Sequence, residues 1–199
     1  MATDGEAPSA LSLGIIGFDR VGKRALHKFL SAANAAGASA AIVNTVNHQL
    51  DLPQMCVTDP LEALRQLAVA GRARFGGTQF GITGSVGKTG SKDLLRQALS
   101  KFGKCHASQR SFNNHIGVPI SLANLPKGSN FAVQEMGMNA AGEIADLTQL
   151  TRPNIALITR IADSHSKFFA STADIADAKA EIFLAIEGPS IAILSRDDT

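Results

Sequence analysis

Thr83-Gly84-Ser85-Val86-Gly87-Lys88-Thr89 is the stretch of the sequence best suited to chemistry. Two glycines let a backbone fold tightly enough for several N–H groups to converge on one anion. A lysine directly after the second glycine can reach the outer phosphates of a nucleotide, and the next residue, Thr89, offers a hydroxyl to Mg²⁺. The strict nucleotide-loop pattern needs a further glycine five positions before Gly87, where Ile82 stands, so the motif is the shorter form T-G-x-x-G-K-T. An ordinary glycine-rich turn has no need of lysine and threonine in this order.

Three other side chains stand out by position. Glu135 ends the apolar run Phe131-Ala132-Val133 and precedes the bend-forming Met136-Gly137. A carboxylate there can hold the cation that bridges nucleotide phosphates, or sit on the surface beside a helix. His165, flanked by Ser164 and Ser166 after a second apolar run, is either a ligand for a second metal or phosphate or a plain surface histidine. Lys179 falls inside the apolar stripe Ile175, Ile182, Phe183 and Ile186. A lysine on an apolar face must snorkel, pair or be chemically altered. Asn113-Asn114, in a loop before a short helix, suits recognition of a polar ligand but also forms turns.

The elements that must place these residues follow from periodicity. Phe80-Gly81-Ile82 reads as a buried strand before the glycine loop. Leu94, Leu95, Ala98, Leu99 and Phe102 recur at helical spacing after it, predicting a helix over 91–102. Strands are predicted at 130–136, 154–159 and 190–194, and helices at 142–150 and 172–187; Ser171 and Asp174 form a capping box for the last of these. Upstream, strands are predicted over 11–17, 40–43 and 54–57, a helix through Leu26–Ala33 ending near Gly37, and another opened by Asp59-Pro60. Gly17 to Gly22 mimics both a dinucleotide fingerprint and a nucleotide loop. Asp19 stands where the first needs glycine, and Arg24 where the second needs a hydroxyl. The β-then-α alternation predicts an α/β fold with a mostly parallel sheet and helices on both faces. The patternless stretch 71–78, with Gly76-Gly77, is the expected domain boundary.

Composition narrows the classes. The chain has 199 residues, 45% of them hydrophobic and 18% charged, with a net charge of +2, so a packed globular protein is expected and no partner is singled out by charge. No basic run interleaved with aromatics points to nucleic acid. Cys56 and Cys105 lack metal or redox spacing, which suits a reducing cytoplasm. No stretch is long and apolar enough to span a bilayer.

Taken together, Thr83 to Thr89, Asn113-Asn114 with Gly117-Val118-Pro119, Glu135-Met136-Gly137, Gly142-Glu143-Ile144, Arg152-Pro153 and Ala178-Lys179-Ala180-Glu181-Ile182-Phe183 resemble the Mur ligase family, in that family's order. The resemblance implies that residues 76–199 are a central ATP-binding domain and that 1–75 are part of an N-terminal domain for a UDP-sugar-peptide. Gly17 to Gly22 would then belong to the latter. It also implies an ATP- and Mg²⁺-dependent ligase of peptidoglycan precursor synthesis, cytoplasmic and monomeric. ATP would phosphorylate the terminal carboxylate of UDP-N-acetylmuramoyl-tripeptide, and the amine of D-alanyl-D-alanine would attack the acyl phosphate. By the same resemblance Thr83, Gly84, Ser85, Val86, Gly87, Lys88 and Thr89 hold the nucleotide. Thr89 and Glu135 hold one Mg²⁺, His165 and a carbamylated Lys179 serve the metal centre, and Asn113 and Asn114 face the nucleotide-sugar. Ser166 and Lys167 stand where the family carries an apolar residue and then Glu. The family's C-terminal domain is expected to be absent, with little or no turnover by the chain alone.

Overall fold

The computed structural model describes residues 13–15, 23–109, 112–162, 169–185 and 190–196. Gly17 to Gly22 and His165 lie outside them. The chain divides into two compact units, Met1–Leu64 and Arg65–Thr199.

The first unit holds a parallel three-stranded sheet in the order β1-β2-β3 (Leu13–Ile15, Ala40–Val43, Gln54–Cys56) and helix α1 (Lys23–Ala35). Gly37, at φ 88°, follows α1 where the helix was expected to stop. Leu30, Ala41, Val43 and Leu52 form a small core. Helix α2 (Pro60–Ala73) starts as its sequence predicts: the Asp59 carboxylate accepts the N–H groups of Leu61 at 2.8 Å and Glu62 at 3.2 Å. The division between units falls inside α2, upstream of the patternless stretch, because Ala68 and Phe75 already belong to the core of the second unit.

The second unit is built on a five-stranded, all-parallel sheet in the order β5-β6-β4-β7-β8 (Cys105–Ala107, Phe131–Glu135, Thr78–Thr83, Ile155–Ile158, Ile191–Ile193). Helices α3 (Lys88–Leu99), α4 (Gly117–Ala123), α5 (Glu143–Thr151) and α6 (Thr172–Ala180) surround it. The central strands are buried, as near-continuous apolar runs in parallel sheets must be. Their register lines up their carboxyl ends: Ile82 pairs with Glu135, and Thr83 with Ile158. The loops that leave these strands therefore open on the same rim of the sheet.

Two expectations are corrected. The helix predicted over 91–102 runs instead over Lys88–Leu99, so Phe102 lies beyond it; Leu94 is 69% exposed and Phe102 80%, whereas Lys92 is buried at 2%. The loop fixes the rotation of this helix. Aiming Lys88 and Thr89 at the sheet's rim turns Lys92, one turn on, inward with its stem, while its ammonium stays 3.6 Å from the exposed Asp93 carboxylate. The helix predicted over 172–187 is α-helical only to Ala180 and continues as a 3₁₀ turn, Glu181–Phe183; residues 186–189 lie outside the described ones. The winding tightens where the Glu181 carboxylate turns to accept the N–H groups of Gly142 at 2.7 Å and Ala145 at 3.0 Å, capping α5. The predicted cap is present at the other end of α6, where Ser171 Oγ accepts the Asp174 N–H at 3.1 Å.

Candidate functional site

The glycine loop leaves β4 at Thr83 and enters α3 at Lys88. Ile82, at the place of the missing glycine, is a fully buried strand residue, so the turn begins only at Gly84. Gly84 has φ 149° and Gly87 φ 85°, conformations that side chains disfavour. Gly87 is the N-cap of α3 and carries no side chain to cap it, leaving the first N–H groups of the helix to a ligand.

The loop is braced from the next strand. Ser85 N–H donates to the Arg160 carbonyl at 2.7 Å, and its hydroxyl exchanges hydrogen bonds with Ala162 N–H and C=O at 3.1 and 2.9 Å. The Thr159 hydroxyl lies 2.6 Å from the Val86 carbonyl oxygen and 3.2 Å from that of Thr83. Thr159 has no place among the residues singled out from sequence. Its only signal is a hydroxyl directly after the apolar run 155–158, at the carboxyl end of the neighbouring strand. A Cβ on Gly84 would collide with Thr159 Oγ1. Gly84→Ala therefore strains the loop twice, and a loss of about 1–3 kcal/mol in stability is expected with at least tenfold weaker ATP binding, read by denaturant unfolding and ATP titration.

Lys88 Nζ donates to the carbonyls of Gly84 at 2.7 Å and Ser85 at 3.3 Å, curling over the loop. Burial lowers its pKa, and the Glu135 carboxylate partly offsets that. The Thr89 hydroxyl donates to Glu135 Oε2 at 2.9 Å, and Asn113 Nδ2 donates to Glu135 Oε1 at 2.8 Å. Glu135 is 1% exposed, so its charge stands on these two donors and the nearby ammonium. Residues 85–90, Asn113 and Glu135 line one cleft of about 290 Å³.

Lys179 is 1% exposed on α6. Its pKa is lowered to about 8, first by burial and then by repulsion from Lys88, which places it in the field of the site. Snorkelling does not describe it. The structure thus brings Lys88, Thr89, Glu135 and Asn113 together, with Lys179 electrostatically coupled to Lys88. Asn114 takes a local part: its Oδ1 accepts the N–H groups of Ile116 at 3.1 Å and Gly117 at 2.8 Å, opening α4. Thr83 is fully buried at the base of the loop.

The donor set fits magnesium. A hydroxyl and a carboxylate lie at hydrogen-bond distance at the mouth of a phosphate-type loop, and both are hard oxygen donors. No three His, Cys, Asp or Glu side chains cluster among the described residues. An ion held by so few protein oxygens must take its remaining ligands from phosphate and water, as Mg²⁺ does.

Comparison with known proteins gives a consistent result. Residues 82–199 match the Mur ligase middle domain. A curated relative from Synechocystis sp., UDP-N-acetylmuramoyl-tripeptide--D-alanyl-D-alanine ligase, is 38% identical over 174 residues, covering 86% of this chain and 38% of the relative. Crystal structure II of MurF from Acinetobacter baumannii superposes with a TM-score of 0.79 at 30% identity, covering 94% of this chain and 40% of that one. MurF ligase from Thermotoga maritima in complex with ADP gives 0.75 at 29% identity, covering 95% and 44%. The chain thus spans about two fifths of the length of the relatives it matches.

Proposed function

The chain belongs to the Mur ligase family, and from that premise we propose that it carries the ATP- and Mg²⁺-binding part of the ligase that joins D-alanyl-D-alanine to UDP-N-acetylmuramoyl-tripeptide. The observation that carries the reading is the meeting of Lys88, Thr89 and Glu135 at the mouth of the glycine loop, Thr89 Oγ1 lying 2.9 Å from Glu135 Oε2. Relatives bearing that ligase's name are 38% identical to this chain.

The chemistry has two steps. The terminal carboxylate of the tripeptide attacks the γ-phosphorus of ATP, the bond to the β-phosphate oxygen breaks, and ADP leaves. The amine of D-alanyl-D-alanine then attacks the acyl carbon, phosphate departs with its bonding pair, and the nitrogen loses a proton to give the amide. Residues 84–89 cradle the phosphates, and the Lys88 ammonium neutralises charge on the transferring group. Thr89 and Glu135 hold Mg²⁺, which draws electron density from the phosphate oxygens when bound. Lys179, as a carbamate, and His165 complete the metal centre, and Asn114 stands in the loop toward the nucleotide-sugar. The reaction draws on ATP, so the cytoplasm is its place; no helix among the described residues is long and apolar enough to cross a membrane.

ADP release by the protein that carries this chain tests the reading. Release that requires both UDP-N-acetylmuramoyl-tripeptide and D-alanyl-D-alanine is expected, together with Mg²⁺-dependent ATP binding by residues 1–199. Release that proceeds equally with another amino acid in place of the dipeptide assigns a different ligase of the family. Absence of ATP binding overturns the nucleotide site itself.

A further inference from the structure

We propose that Asn113 is a positioning residue for Glu135 and sets the Mg²⁺ affinity of the site; this rests on the reading of Thr89 and Glu135 as the Mg²⁺ ligands. A carboxylate that is 1% exposed needs a hydrogen-bond donor for each of its oxygens. Thr89 serves Oε2 and Asn113 serves Oε1. The two donors differ in what they can do next. Thr89 is itself a ligand for the cation, so its hydrogen bond to Oε2 is the one that a bound ion replaces. Asn113 gives Oε1 an amide N–H, a bond it can keep while Oε2 turns to the metal. The amide thus presents the carboxylate through one oxygen.

Asn113 is held firmly enough for this. Its carbonyl accepts the Gly137 N–H at 2.7 Å, directly after the β6 strand that carries Glu135. Its side-chain amide lies across Gly137, where a Cβ would sit 3.0 Å from Asn113 Cγ and 3.2 Å from Nδ2. The following residue, Asn114, fastens the loop to the first turn of α4. The amide is oriented with its nitrogen toward the carboxylate because the alternative would set its oxygen against two others. Without that donor, Glu135 is free to swing toward the Lys88 ammonium, whose field it already shares, and an ion pair there competes with the cation. Partners that orient a metal ligand in this way are worth about 10–100-fold in metal affinity.

The test is ATP binding measured calorimetrically across a series of Mg²⁺ concentrations and in chelator, for the parent, Asn113→Ala and Glu135→Ala. Asn113→Ala is expected to weaken Mg²⁺ about 10–100-fold and to change ATP affinity in chelator far less, a split that general loosening of the fold does not produce. If Asn113→Ala keeps parental Mg²⁺ affinity while Glu135→Ala loses it, the positioning role is overturned and the metal site stands. If Glu135→Ala also keeps it, the metal reading fails and takes the proposal with it. Should Asn113→Ala not fold, Asn113→Ser and Gly137→Ala decide: the first keeps a shorter polar group, and the second pushes the amide off the carboxylate. Weaker Mg²⁺ binding in both supports the role, and parental affinity in both overturns it.

Discussion

Lys88→Ala is expected to weaken ATP binding by at least about a hundredfold and to leave the fold intact. Among the described residues the lysine donates to the loop carbonyls of Gly84 and Ser85, and Glu135, the carboxylate whose field it shares, keeps Thr89 and Asn113 when it is removed. What is lost is a charge-assisted bond to phosphate in a partly desolvated place, worth on the order of 3 kcal/mol. Burial has already stripped water from this ammonium, which lowers its pKa and sharpens its preference for an anion. ATP titration beside a denaturation curve checks both halves. Unchanged ATP affinity would remove the nucleotide from this loop altogether.

Lys179→Met is expected to raise stability while lowering ligase turnover. Lys179 is enclosed by α6's apolar stripe, with Ile175 and Ile182 also buried, and its ammonium is repelled by Lys88. Methionine fills a similar volume without charge. The folded pKa of about 8 lies below the ordinary 10.5, so the folded chain disfavours the protonated form. That penalty, about 3 kcal/mol, is fully present below pH 8 and fades as pH rises toward 10.5, where the unfolded chain also loses the proton. Lys179→Met should therefore be more stable than the parent at pH 7, with the difference closing toward pH 10.5 in denaturant titrations. Ligase turnover should fall at least about a hundredfold, because the side chain proposed as an anionic metal ligand is gone. The same pKa favours the carbamate. At pH 7.5 about a quarter of an amine with pKa near 8 is neutral and able to add CO₂, against roughly one in a thousand for an ordinary lysine. Intact mass in bicarbonate, with the mass of one CO₂ present in the parent and absent in Lys179→Met, reads this directly.

Much of the second unit was legible because its signals are local. Strands such as 131–135 are apolar runs bounded by turn residues, and Asp59 and Ser171 cap their helices through their own side chains. The glycine loop announces itself by residue type. Less legible was anything set by rotation or by neighbours. The apolar spacing of α3 pointed to Leu94 and Phe102, but the loop dictates which face turns inward, and that face carries Lys92. β5, three residues long, has too few positions for a period to show. Thr159 and Ser108 serve the site through contacts across strands, the latter 3.4 Å from Glu135 N, and spacing along one strand cannot reveal such contacts. Asn113 was visible as a polar pair with Asn114, but its partner, Glu135, is brought to it only by the pairing of β5 with β6 and the bend at Gly137.

The alignment of Ile82 with Glu135 and of Thr83 with Ile158 makes the site a readout of how three strands are threaded side by side. Successive side chains of a strand point to opposite sides, so a slip of β6 by a single position would carry Glu135 to the far side of the layer. Thr89 would face an empty place while most of the hydrophobic interior survived. Substitutions deep in β4 or β6, remote from any ligand, can thus erase phosphate chemistry in a protein that still melts as one piece.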